Sequence, residues 1–288
     1  MLSVPGDRPE RYEKAIAAGA DAVIFDLEDA VGQGQKDEAR RLVAAYFDQQ
    51  PASPDVLRGI RVNNIHTLAG LRDIEVLACM ARLPDFVALP KVESSAEVLI
   101  YDRHLGRAGS NPELVCIVET ALGLERALDI ATATSSTAII GFGGGDLAAD
   151  LGTELSWENM LPARMRIIQA AAAARISAMD MPWFDIGDAA GLADEARLAK
   201  RLGFRCKLAI HPRQVAVIAD NIGPTAEETA WARRVVEAFE QNAGRAFQLD
   251  GRMIDEPIYQ QQRRVLAVAS AGVAVPRHAA AQSNARPQ

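Results

Sequence analysis

Two carboxylates stand where strand-like runs give way to helix-like ones. Glu119 closes Leu114-Val115-Cys116-Ile117-Val118 and precedes the helix-like run from Thr120 to Ala127. Asp146 follows a β-branched pair, Ile139 and Ile140, and glycines at 141, 143, 144 and 145. A strand ending in glycines lets backbone approach a ligand closely, because positive φ costs glycine nothing. Gly145, beside the acid, is the position expected against a substrate. As an N-cap, Asp146 would only start the next helix, a role Asp favours. As a ligand, it would share a hard cation with Glu119, and on this stretch alone both readings stay open. An acid pair without histidines suits Mg²⁺, held by one or two carboxylates plus substrate and water. Arg61, in Gly59-Ile-Arg61-Val-Asn63, offers a fork that pairs bidentately with a substrate carboxylate. A cation gripping a keto or alkoxide oxygen is a Lewis acid, so the set points to carbon–carbon chemistry on a small keto acid.

These residues need elements that bring them to one place. Strand-like runs start at Met1, Ala22, Gly59, Phe86, Leu114, Thr137, Arg175 and Lys207, the last reaching His211. Helical segments fall between them at roughly 36–47, 67–82, 94–108, 120–133, 161–174 and 189–202. An early helix is expected from Asp7 as N-cap with Glu10 as its capping-box partner. Eight strand–helix alternations give an α/β fold, a (β/α)₈ TIM barrel over 1–222, whose chemistry sits at the C-terminal ends of the strands. A doubly wound open sheet is the alternative, but no Gly-x-Gly-x-x-Gly follows the first strand. Residues 223–275 exceed a minimal barrel and form a C-terminal helical arm. It comprises a helix from Thr225 as N-cap, a turn-rich connector at 249–257 and a final helix from Ile258 to about Ala271. The arm completes the same domain or packs on a neighbouring subunit, and 276–288 is a tail.

Composition removes other classes. Of 288 residues, 49% are hydrophobic and only 5% aromatic, which suits helices packed on a parallel sheet. A net charge of -7 disfavours a nucleic-acid surface. Cys79, Cys116 and Cys206 are few, far apart and form no CxxC, so a disulfide framework is not expected. The histidines lack zinc spacing. No apolar run reaches about 18 residues and no signal-peptide pattern opens the chain, so no membrane association and a cytoplasmic location are expected. Lys91 could form a Schiff base, but nothing around it in sequence lowers its pKa. Arg8, at a helix start, could meet the phosphates of a cofactor.

The segments VPGDRPERYEKA, DAVIFDLEDAV, IRVN, LPKVES, IVETALGLERA, GFGGGDLAADLG, GFRCKLAIHPRQV and GRMIDEP resemble the citrate lyase beta-subunit-like members of the HpcH/HpaI aldolase/citrate lyase family. The resemblance runs from Val4 to about Ala269. It implies a TIM barrel and Mg²⁺-dependent cleavage or formation of a 3-hydroxyacyl-CoA thioester from a 2-oxo acid and an acyl-CoA. It implies that Glu119 and Asp146 are the Mg²⁺ ligands and that Arg61 binds the oxo-acid carboxylate. It further implies that Asp255, of the I-D-x-P motif, enters from an adjacent subunit as a catalytic group, and that the chain is a homotrimer or hexamer. The sequence departs from the pattern at Cys206, where glycine is common, and at Gly144-Gly145, where bulkier or acidic residues are common. Two other readings share the acid pair: a metal-dependent aldolase on free 2-oxo acids, and a citrate lyase beta subunit working on a carrier-protein thioester.

Overall fold

The computed structural model describes residues 1–51, 53, 55–106 and 111–270. The expected tail at 276–288, and 271–275 of the arm, lie outside the described residues.

Eight short strands carry the first unit: β1 Leu2–Pro5, β2 Ala22–Asp26, β3 Leu57–Arg61, β4 Phe86–Leu89, β5 Glu113–Val118, β6 Thr137–Phe142, β7 Ser177–Asp180 and β8 Cys206–Lys207. Each pairs in parallel with the next. Just past β8, the Ala209 carbonyl accepts from Ser3 N at 2.9 Å, and Ala209 N donates to Met1 O at 2.8 Å. The sheet therefore closes on itself as a (β/α)₈ barrel, and the open-sheet alternative falls.

Alternation along the strands sorts side chains into two cores. Ala22, Ile24, Phe86, Ala88, Val115, Ile117, Ile139 and Met179 fill the barrel interior. Their neighbours Val23, Phe25, Val87, Leu114, Cys116 and Ile140 pack outward under the helices. Gly59 is required inside, because a Cβ there would strike the Phe86 ring.

Several elements differ from expectation. The eighth strand stops at Lys207, since Ile210 N already turns to Gln214 Oε1 (2.9 Å) at the entry to helix Pro212–Ile222. The segment 120–133 is two short helices, Ala121–Glu125 and Ala127–Ala131, parted at Arg126. The Asp7–Glu10 capping box does not form. Pro9 opens a 3₁₀ turn, Pro9–Arg11, with no side-chain cap, and helix Tyr12–Ile16 follows.

The chain divides into compact units at Ile222/Gly223. In the second unit, helix Ala226–Gln241 carries the expected Thr225–Glu228 capping box. The connector is an antiparallel hairpin, β9 Phe247–Leu249 and β10 Arg252–Ile254. Its turn residues Asp250 and Gly251 have φ of 49° and 78°, the left-handed pair that a tight hairpin demands. Val235, Phe239 and Ile254 form the unit's core, and the Phe239 ring stacks on Tyr259 at 4.6 Å. Helix Glu256–Ser270 ends the described chain.

Candidate active site

The alternation that builds the core also chooses which polar groups enter the mouth. Asp26 continues the interior rungs of Ala22 and Ile24, and Glu119 continues those of Val115 and Ile117. Arg61 lies directly opposite Asp26 in the register of β2 and β3. A cavity of about 290 Å³ opens there, with Arg61, Glu119, Gly143, Gly145, Asp146 and Phe184 in its wall. A second, more apolar cavity of about 400 Å³, lined by Trp157, Trp183 and Leu198, shares Met181 and Phe184 with it but carries neither acid of the pair.

Glu119 is 4% exposed. Its Oε1 accepts the Lys91 backbone N–H at 2.8 Å. Its Oε2 faces the space left by Gly143, where a Cβ would overlap that oxygen. Asp146 is the third residue of helix Gly144–Leu151, whose N-cap is Gly143 with no side-chain cap bond. The capping reading of Asp146 therefore falls, and its half-exposed carboxylate is left for the cavity. Gly145 lines the cavity too, and a Cβ on it would press to 3.1 Å from the Phe184 ring.

Arg61 is engaged with neighbouring acids. Its Nε and Nη2 donate to the two oxygens of Asp26 at 2.8 and 2.6 Å, and Nη1 lies 3.0 Å from Glu28 Oε2. The bidentate edge foreseen for a substrate carboxylate is closed on Asp26. Arg61 brings the cavity fixed charge, and although burial works against that charge, Asp26 and Glu28 hold its pKa above the ordinary arginine value.

Lys91 is a strand-end group whose partners the sequence did not reveal. Its Nζ lies 2.6 Å from Glu28 Oε1, 3.6 Å from Asp29 Oδ2 and 3.8 Å from Asp146 Oδ2. Burial would lower its pKa, but the bond to Glu28 and the surrounding acids raise it. A Schiff base needs the opposite, a neutral amine.

Glu119 is pushed up to about 8, first by burial and then by the charges of Glu28 and Asp146, against the opposing pull of Lys91 and Arg61. Crowded anions with free oxygens at one cavity are what a hard cation relieves. Among the described residues, no three His, Cys, Asp or Glu side chains converge as a metal cluster. A cation here would take two carboxylates and leave positions for substrate and water, the arrangement Mg²⁺ accepts.

A pH dependence follows. Because the folded value lies above the ordinary 4.5, the ion-free protein keeps a proton that the unfolded chain has released. Stability from this group is full below about 4.5 and is lost as pH rises through about 8. A divalent ion must displace the same proton. The melting-temperature rise produced by Mg²⁺ is expected to grow from about pH 6 to about pH 9, as thermal denaturation with and without the ion would measure.

Other polar residues near the strand ends, with Arg8 and Asp255, have their own partners. Asn63 donates through Nδ2 to Asp73 Oδ2 at 2.8 Å, bracing helix Leu68–Cys79. Asp180 sits next to the interior Met179 and so faces outward. There it meets Arg164 Nε at 2.9 Å and Lys207 Nζ at 2.6 Å, and Lys207 also donates to Glu195 at 2.6 Å. His211 Nδ1 accepts from Arg213 N at 3.1 Å. Arg8 is exposed, has Asp7 at 3.8 Å and is not among the residues lining the cavity. Asp255 Oδ1 accepts from Ile258 N at 3.2 Å, at the start of helix Glu256–Ser270.

Fold and site together define a (β/α)₈ barrel whose ionisable groups gather at the strand C-termini, the end where such barrels carry their chemistry. The family model for HpcH/HpaI aldolase/citrate lyase matches residues 1–212, and the chain belongs to this family of carbon–carbon lyases. It is similar to the citrate lyase subunit beta of Escherichia coli K12, with 36% identity over 279 residues covering 93% of this chain and 91% of the relative. It is 32% identical to the mitochondrial citramalyl-CoA lyase of Homo sapiens, covering 94% of this chain and 85% of that one. Among solved structures it resembles protein CitE from Mycobacterium tuberculosis in complex with magnesium, acetoacetate and coenzyme A. There the TM-score is 0.77 at 36% identity, covering 93% of this chain and 96% of the other.

Proposed function

We propose that the mouth of the barrel cleaves, or forms, a 3-hydroxyacyl-CoA thioester, with a 2-oxo acid and an acyl-CoA on the other side of the reaction. The observation that carries this is the pair Glu119 and Asp146, both with carboxylate oxygens open to one cavity beside Arg61. The names of the relatives, and the magnesium and coenzyme A of the Mycobacterium tuberculosis complex, support the same reading. Mg²⁺ would be held by Glu119 and Asp146, and when bound it supplies a Lewis acid to the hydroxyl and carboxylate oxygens of the substrate.

The chain's own residues do the rest. Lys91 N–H fixes one oxygen of Glu119, so the other is presented to the cavity. Arg61, anchored by Asp26, keeps positive charge beside the oxo-acid end. In the cleavage direction a water takes the hydroxyl proton, the carbon–carbon bond breaks, and its electron pair passes to the thioester enolate. The enolate carbon then takes a proton back, delivered by Asp255 of a neighbouring copy or by a water, so that no net proton is gained or lost. The chain works as a trimer or a multiple of one, in the cytoplasm, where its three free cysteines stay reduced.

The test is turnover of citryl-, malyl- and citramalyl-CoA by the purified chain with and without Mg²⁺. Cleavage of one of them only with the ion is expected. A melting-temperature rise with free coenzyme A separates this reading from an aldolase on free oxo acids. Turnover of free CoA substrates counts against a subunit confined to carrier-protein thioesters. Asp255→Ala is expected to lower kcat about 10²–10³-fold while costing only about 1 kcal/mol of stability through the lost cap. Unchanged kcat would leave Asp255 as a cap alone.

A further inference from the structure

Lys91 adopts φ +51°. The other described non-glycine residues with positive φ are Arg175, at the end of helix Trp157–Ala174, and Ala243 and Asp250 of the second unit. Glycine would take this conformation without strain, so backbone geometry alone does not account for a lysine here. The conformation turns the Lys91 N–H onto Glu119 while the ammonium reaches Glu28, Asp29 and Asp146. One residue thus touches both carboxylates of the proposed ion site, by backbone and by side chain. Five acids (Asp26, Glu28, Asp29, Glu119 and Asp146) crowd this mouth; Arg61 and Lys91 pair with their carboxylates, and Lys36 stands behind them on the Leu27 and Glu28 carbonyls. Arg61 is fixed on Asp26 by two bonds. The Lys91 ammonium is held tightly only by Glu28 and stands loosely beside Asp146.

We propose that Lys91 is the internal cation of the site: it steadies the acids before a divalent ion arrives, yields Asp146 to that ion, and keeps ion affinity low until an anionic substrate adds its own charge. The inference rests on the reading that Glu119 and Asp146 hold Mg²⁺, and it adds that ion and oxo acid bind cooperatively. A fixed ammonium within about 4 Å of a ligand oxygen repels the incoming ion; two unit charges at that separation and water-like screening already amount to about fivefold in affinity, and the ion carries two. A 2-oxo acid, chelating the ion and carrying a negative charge toward Lys91, offsets the repulsion.

The experiment is calorimetric titration of the full chain with Mg²⁺, with and without pyruvate, alongside Mg²⁺-induced melting shifts. Lys91→Met and Lys91→Gly both keep the backbone N–H that Glu119 accepts and both remove the ammonium, while the glycine also relieves the positive φ; titration at about pH 9 limits competition from the Glu119 proton. Both are expected to bind Mg²⁺ about fivefold or more tightly without pyruvate and to lose most of the affinity gain that pyruvate gives the unaltered protein. Lys91→Arg, which keeps the charge, is expected to stay within about twofold of the unaltered protein. Equal or weaker Mg²⁺ binding in folded Lys91→Met and Lys91→Gly overturns the inference while leaving the ion site standing. Absence of Mg²⁺ binding by the unaltered protein removes the ion site and this inference together.

Discussion

Glu119→Gln is expected to leave the barrel folded and to remove about 10³-fold of Mg²⁺-dependent turnover. The amide keeps the shape and can still accept the Lys91 N–H at Oε1, so the loss reports the charge. Lewis-acid stabilisation of an alkoxide is worth several kcal/mol, and about 1.4 kcal/mol is a factor of ten. A second signature separates this from a folding defect. The ion-free protein carries Glu119 as a buried acid with a pKa near 8, so above that pH its charge is a burden on the fold. The Gln variant is expected to melt at the same temperature or higher without Mg²⁺ at about pH 9, and to show no rise when Mg²⁺ is added. Full activity in the variant would take Glu119 out of the site. A lowered melting temperature without the ion would recast it as a structural residue.

Lys207→Met is expected to give a large stability loss outside the mouth. The Lys207 ammonium is fully buried and bonds to Asp180, Glu195 and the Met181 carbonyl. Arg164 completes the group, bonded to Asp180 and Glu195 and stacked over Phe142 at 4.9 Å and Trp157 at 4.4 Å. Removing one partner strands a buried charge, which costs about 3–5 kcal/mol. In a unit of this size that is a drop of roughly 6–20 °C in melting temperature, read by circular dichroism. The double change Lys207→Met with Glu195→Gln is expected to recover part of it, because the stranded carboxylate goes too. A drop under about 2 °C would show that the network contributes little.

The barrel was legible because closure leaves a simple trace: eight apolar runs at intervals, all but the first ending in something ionisable. Glu119 was legible for the same reason, sitting two residues beyond the interior Ile117. Asp180 ends β7, and the same alternation decides where its carboxylate goes. It follows the interior Met179 by one residue, so it faces the helices, as does Lys207 just before the interior Leu208. Arg61 was found, but its engagement with Asp26 was not, since strand register is set by the whole sheet and no local pattern encodes it. The role of Lys91 depends on a backbone angle that lysine does not prefer, and residue type gives no warning of that. The hairpin was missed at Asp250-Gly251, where an Asp-Gly pair between strand-forming residues is itself a turn signal. At Asp7 a capping pattern was present in sequence, but Pro9 opens a 3₁₀ turn instead of the first turn of an α-helix.

The strict in-and-out order of the strands also limits how such a mouth can diverge. An acid on β5 or β2 can travel along its strand only two rungs at a time, because a single step would bury it among the helices. Moving the proposed ion site deeper would mean replacing Ile117, part of the interior core. Loop residues such as Gly145 and Phe184 are under no such rule. Drift in substrate shape is therefore open to this chain through its loops, while the seat of the charge is pinned by the weave beneath.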